Sequence, residues 1–203
     1  MLKLKTNTRF YSYDEYYQLT QQCSANHTTT GDEQSANRID ATKLNAHRMT
    51  RIYKQINLEE KLIKLLTNNK SINWDWLVIS EAWCGDSAQC LPIIHKISEL
   101  NEGINLKIIL RDENDELINQ YSTNGSKSIP KLICTNSLTN SEIGYWGPRP
   151  TEITSMVKSL KSQNPTISHD EFVKQLHFWY AKDKGLSLQA DLYSLICQWM
   201  NKF

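Results

Sequence analysis

Two short apolar runs rich in strand formers, "WLVIS" (Trp76 to Ser80) and "INLKIIL" (Ile104 to Leu110), flank a segment from Gly85 to Leu100 that reads as a helix. Strands joined through a helix rather than a tight turn run parallel, so this stretch commits the chain to an α/β architecture. Two further strands, "IPKLICT" and "EIGYWG", follow on either side of the turn-like "NSLTN" and form a hairpin. "PTEITSMVKSLKS" then reads as a helix with proline at its first turn. The order βαβ followed by ββα predicts a central mixed sheet with helices on both faces.

Both ends read as helical. "SYDEYYQLTQQC" is a short helix, and "SANHTTTGDEQSAN" after it is a polar loop. Leu44, Met49, Ile52 and Ile56 recur at helical spacing, and Asn57 with Glu60 resembles a capping box for a helix through Leu62, Ile63 and Leu66. Beyond Asn164, Ser168 and Glu171 form a second capping-box pair ahead of Phe172, Leu176 and Trp179, with Gly185 as a stop. Leu188, Leu192, Leu195, Ile196 and Trp199 mark a last helix. These stripes are expected to pack on a core rather than to hold a cofactor. At 39% hydrophobic residues, 203 residues suffice for one core. The expected organisation is a single domain, 1–203, with a core at about 74–162, an N-terminal helical extension at 1–70 and a C-terminal one at 165–203.

Charge narrows the function. Lys plus Arg number 23 against 22 acidic residues, a net charge of +1, without a basic run, so nucleic acid is not an expected partner. No stretch of eighteen apolar residues occurs and "MLKLKTNTRFYSYDEYY" has no signal-like apolar core, so a soluble, cytoplasmic protein without membrane contact is expected. The five cysteines, Cys23, Cys84, Cys90, Cys134 and Cys197, have no repeated spacing and are expected as reduced thiols. His27, His47, His95, His169 and His177 lack metal-ligand spacing, and no Gly-rich phosphate loop occurs. Neither a metal nor another cofactor is expected; oligomeric state is not legible.

The chemistry concentrates in "AWCGDSAQC", Ala82 to Cys90. "WCGDS" follows an apolar strand, Pro92 lies within the helix, Pro130 stands in "SIPKLI", and Gly147 follows Trp146. In this order the marks resemble the thioredoxin superfamily over about Trp74 to Ser162. The resemblance implies a thioredoxin-like fold, with Cys84 as nucleophile, Pro92 as the helix-kinking proline, Pro130 in cis facing the cysteine, and Gly147 beside that site. It also implies a substrate edge at Ile129, with Trp83 and Trp146 as an apolar rim or as partly buried core residues.

Physical chemistry gives these residues their work. A thiolate attacks a disulfide, and a helix N-terminus favours it through unpaired N–H groups and the helix dipole, lowering the thiol from its reference near ~8.5. Asp86 acts in the opposite sense by placing a negative charge beside Cys84, so the net shift is open at this stage. Ser87 occupies the position of the resolving cysteine in two-cysteine relatives; a hydroxyl cannot resolve a mixed disulfide and at most donates a hydrogen bond to the thiolate. Cys90 lies about 9 Å along a regular helix from Cys84, beyond the ~7 Å reach of a disulfide, and is expected as a small buried hydrophobe. The acid that the resemblance would place at Val78 is absent; Glu81 is expected in a structural or surface role. Arg149 is read two ways, as an anchor for the thiolate or a substrate carboxylate, or as a solvated turn residue.

The leading expectation is a monothiol thiol-disulfide oxidoreductase: Cys84 attacks a protein or low-molecular-weight disulfide, and an external thiol resolves the product. The alternative is a non-catalytic thioredoxin-fold module that binds a protein at the strand edge.

Overall fold

The computed structural model describes residues 4–202. Among them, eight helices surround a four-stranded sheet. The chain runs α1 (Tyr13–Ala25), α2 (Ala36–Gln55), α3 (Glu60–Thr67), β1 (Trp74–Ser80), α4 (Gly85–Ser98), β2 (Ile104–Leu110), α5 (Asp115–Gln120), β3 (Lys131–Asn136), β4 (Glu142–Trp146), α6 (Thr151–Gln163), α7 (His169–Asp183) and α8 (Leu186–Met200). The strand order is β2-β1-β3-β4. β1 pairs parallel with β2 from Trp74↔Ile104 to Ser80↔Leu110 and antiparallel with β3, while β3 pairs antiparallel with β4 across a register shift at Cys134/Thr135. The mixed sheet and the helices on both of its faces match the expected α/β, thioredoxin-like fold.

Side-chain alternation along β1 divides the interior. Trp74, Trp76 and Val78 face the larger apolar cluster, which also takes Met49 of α2, Leu91 and Ile94 of α4, Ile153 of α6 and Leu192 and Ile196 of α8. Leu77 and Ile79 face the smaller cluster with Ile109, Ile133 and Leu117 and Ile118 of α5. Each fully buried Leu or Ile contributes roughly 1.5–3 kcal/mol. The helices from both ends therefore pack into the same interior as the central strands.

The helix ends show how local and long-range signals compete. Ser12 caps α1 in a complete capping box with Glu15. The box expected at Asn57 and Glu60 does not form: α3 starts after Glu59, whose N–H donates to Oε1 of Gln189 at 2.7 Å. Gln189 also donates to the Asn57 carbonyl, so α8 satisfies this turn from 130 residues away. Ser168 accepts from the Glu171 N–H, the first half of the second box. Pro150 caps α6 instead of lying in its first turn. Lys184 and Gly185, at φ 53° and 79°, turn α7 directly into α8. The short α5 was not expected.

Candidate active site

The end of β1 delivers Cys84 to the head of α4. The Cys84 N–H donates to the Glu81 carbonyl at 3.0 Å, closing the turn, and Cys84, in an extended conformation (φ −79°, ψ 113°), is the N-cap. Its sulfur accepts from the Ser87 N–H at 3.4 Å and its thiol donates to the Ile129 carbonyl at 3.4 Å. The Ile129–Pro130 bond is cis. Four of the expected residues, Cys84, Ser87, Ile129 and Pro130, thus meet at one point, with Pro92 inside α4.

The sulfur is enclosed: Cys84 is 7% exposed. Burial, with the charge of Asp86 adding to it, pushes the thiol up to about 11; donors at the helix start offset only part. The shift that the sequence left open therefore has a sign, and it favours the protonated thiol. The Ser87 hydroxyl is buried without a regular hydrogen bond, although close enough to the sulfur to favour the thiolate.

Asp86 is the hub of the surrounding polar contacts. Its Oδ2 accepts from Nε and Nη2 of Arg149 at 2.8 and 2.7 Å, and its Oδ1 accepts from the Tyr180 hydroxyl at 2.8 Å. Burial raises the carboxyl while Arg149 and Tyr180 lower it. Arg149 is not a free turn residue: its Nε and Nη2 are engaged with Asp86. The loop before it contains a second cis bond, Gly147–Pro148, which sequence reasoning missed. Gly147 lies against the cis-proline loop: at φ 117°, a Cβ there would stand 2.2 Å from the Pro130 carbonyl oxygen.

The two tryptophans part company. Trp83 is half-buried with two guanidiniums against its ring, Arg38 at 4.2 Å and Arg111 at 4.6 Å from the centroid. Of the two places expected for Trp146, rim or core, it takes the core: it lies 5% exposed in the larger cluster, where its Nε1 donates to Asp191 of α8 at 3.0 Å. Its position on β4 turns it toward the terminal helices, so packing decides its place.

Elements outside the motif close the site, and no local spacing announces them. Glu81 is fully buried; its carboxylate accepts from the Thr30 hydroxyl and from the Asp112 N–H, tying the loop before α2 to the end of β2. Asn45 of α2 donates to the Ala82 carbonyl at 2.8 Å. His177 of α7 lies over Gly85, where a Cβ would stand 2.9 Å from its Cε1. Burial and the nearby Arg48 and Arg51 lower His177 to about 4. Cys90 faces away from Cys84, in the larger cluster, with Sγ 4.0 Å from the Tyr180 hydroxyl. All five cysteines are free.

No curated protein matches the chain. Two solved structures resemble it in fold: a protein of unknown function from Pseudomonas aeruginosa, 15% identical over 92% of this chain and 97% of that one, with a TM-score of 0.58, and an HIV epitope-scaffold, 17% identical over 92% and 98%, with a TM-score of 0.52. A profile described as Thioredoxin matches residues 31–161, taking in α2 and α3 as well as the sheet. Matched over well more than half of its length, the chain belongs to the thioredoxin family.

Proposed function

We propose that the protein is a monothiol thiol-disulfide oxidoreductase of the cytoplasm, acting on a protein or low-molecular-weight disulfide through Cys84. The observation that carries this reading is the sulfur itself, held at the head of α4 by the Ser87 N–H and against the Ile129 carbonyl beside Pro130. In the first step the Cys84 thiolate attacks one sulfur of the substrate; the Cys84–S bond forms, the substrate S–S bond breaks, and the departing thiolate takes a proton from water. An external thiolate then attacks the sulfur that Cys84 has captured and releases Cys84. Ser87 cannot replace that external thiol, and Cys90 faces the other cluster.

With the thiol at about 11, roughly one molecule in ten thousand carries a thiolate at neutral pH. The enclosed form is therefore a resting form, and exchange requires exposure of the sulfur. The same burial favours a second reading, a thioredoxin-fold binding module in which Cys84 is inert. Alkylation of each cysteine across pH, read by peptide mass spectrometry with and without a disulfide substrate, separates the two. Substrate-stimulated labelling and mixed-disulfide capture at Cys84 support exchange; a Cys84 that stays protected with every disulfide rejects it in favour of the module.

A further inference from the structure

A cavity of about 200 Å³ lies where α2, α4, α7 and α8 meet, on the side of α4 that faces the larger cluster rather than the Cys84 sulfur. Its inner wall is mostly apolar, Ile52 and Ile56 from α2, Cys90 and Ile93 from α4 and Leu188 from α8, with the buried Gln89 and Tyr180 beside them. Arg51, Ala181 and Lys184, all exposed, form its rim. For scale, a dry cavity of ~150 Å³ accommodates a benzene ring.

The two cations at this rim, Arg51 and Lys184, form no ion pair: among the described residues, no carboxylate oxygen lies within 4.0 Å of their side-chain nitrogens. One acid, Asp183, also lines the cavity; its carboxylate, turned to the N–H and hydroxyl of Ser187, brings a negative charge to the lining but pairs with neither cation. Arg48, one helical turn before Ile52, donates to the neutral Asn45 side chain, and its guanidinium is disfavoured by burial and by the charge of Arg51. An anion at the rim would relieve this repulsion and gain charge-assisted hydrogen bonds. An apolar recess under two cations that form no ion pair fits a ligand with both characters.

We propose that the cavity binds a small amphipathic carboxylate, its apolar body against Ile52, Ile56, Ile93 and Leu188 and its carboxylate on Arg51 and Lys184. The site is independent of thiol exchange at Cys84 and stands whether or not that chemistry operates.

Phenylacetate and its neutral counterpart phenylacetamide serve as probes, titrated into the full chain while the methyl resonances of Ile52, Ile93 and Leu188 are followed by NMR. Saturable shifts with phenylacetate in the range of about 1 mM are expected. Binding should be about tenfold weaker with phenylacetamide and with Arg51→Ala, the loss of one charge-assisted hydrogen bond. Ala181→Trp, an exposed position that leaves the core intact, should block the recess and abolish the shifts. Equal affinity for acid and amide overturns the carboxylate assignment, as does phenylacetate binding that Arg51→Ala leaves unchanged. Absence of saturable shifts, or shifts that persist undiminished in Ala181→Trp, overturns the site.

Discussion

Tyr180 donates its phenolic hydrogen to the Asp86 carboxylate at 2.8 Å, joining α7 to the second residue of α4 across 94 positions of sequence. Asp86 also holds Arg149, so one buried carboxylate ties two distant segments to the turn that carries Cys84. Its negative charge adds to the effect of burial in opposing the Cys84 thiolate. Asp86→Asn removes that charge and leaves the Arg149 cation without its counter-ion; both changes favour the thiolate. The Cys84 pKa should fall by about one unit, raising its alkylation rate at pH 8 about tenfold, while burial keeps it above a free thiol. A pKa that holds or rises in this variant contradicts the assigned electrostatics.

Tyr180→Phe keeps the ring in the core and deletes only the donor. A hydrogen bond to a buried charged group is worth about 2 kcal/mol, so the urea midpoint should fall accordingly. Because the lost contact anchors α7 over the head of α4, hydrogen exchange should quicken around His177 and Gly85 more than in β1. Uniform acceleration across the chain would mean that Tyr180 supports the fold in general rather than this closure.

His177 gives the fold a dependence on pH. Its folded pKa, about 4, lies below the ordinary 6.5, so the unfolded chain binds a proton at a pH where the folded one does not. The stabilisation is present above pH 6.5 and is lost as pH falls toward 4, on the order of 2 kcal/mol. His95, also lowered by burial, acts in the same direction, whereas Glu81 and Asp86, both raised by burial, act oppositely near the acid end. Urea unfolding at pH 7 and pH 5 in the native protein and in His177→Gln isolates the residue: the variant should lose less stability between the two. An equal loss would leave His177 without a role in the pH dependence.

Local patterns carried the sheet and the sulfur, and distant contacts carried the rest. The apolar runs at Trp76 to Ser80 and Ile104 to Leu110 are buried strands because their side chains must fill two clusters, which a sequence declares by composition. Cys84, Ser87 and Pro130 were legible through the resemblance, whose marks stand in the family's order along the βαβ and ββα pattern. The cap of α3 was not, since Gln189 reaches it from α8 and no spacing around Asn57 reveals that partner. Nor were Tyr180, His177 and Asn45, each of which reaches the motif from another helix. The six-residue α5 escaped because Leu117 and Ile118 alone make too short an apolar stripe to show a period.

Gly147 and Gly125 share a positive φ, 117° and 76°, but not their surroundings. A Cβ at Gly147 meets the Pro130 carbonyl oxygen at 2.2 Å and the Lys131 Cα at 3.3 Å, while one at Gly125 meets nothing within 4 Å. Gly125→Ala therefore bears only the backbone cost, about 1 kcal/mol. Gly147→Ala adds a collision with backbone that the sheet holds in place and should cost about 3 kcal/mol or more in urea unfolding. Comparable losses at the two positions would mean that the Gly147 loop yields, and that its contact with the proline loop is loose.

Cys84 and Cys90 belong to one helix but to different interiors. Cys84 closes the smaller cluster against Ile129, and Cys90 lies among Leu91, Ile94 and Tyr180 in the larger one. If exchange proceeds through Cys84 alone, Cys84→Ser removes all mixed-disulfide formation, because a hydroxyl does not attack sulfur at neutral pH. Cys90→Ser should leave exchange unchanged while lowering stability by about 1–2 kcal/mol, as a hydroxyl replaces a buried thiol. Trapping with an aromatic disulfide, followed by intact-mass measurement, reads the first effect, and urea unfolding reads the second. Equal loss of exchange in both variants would require α4 to unwind its first turn and bring the two sulfurs together, replacing the single-thiol mechanism with a Cys84–Cys90 couple.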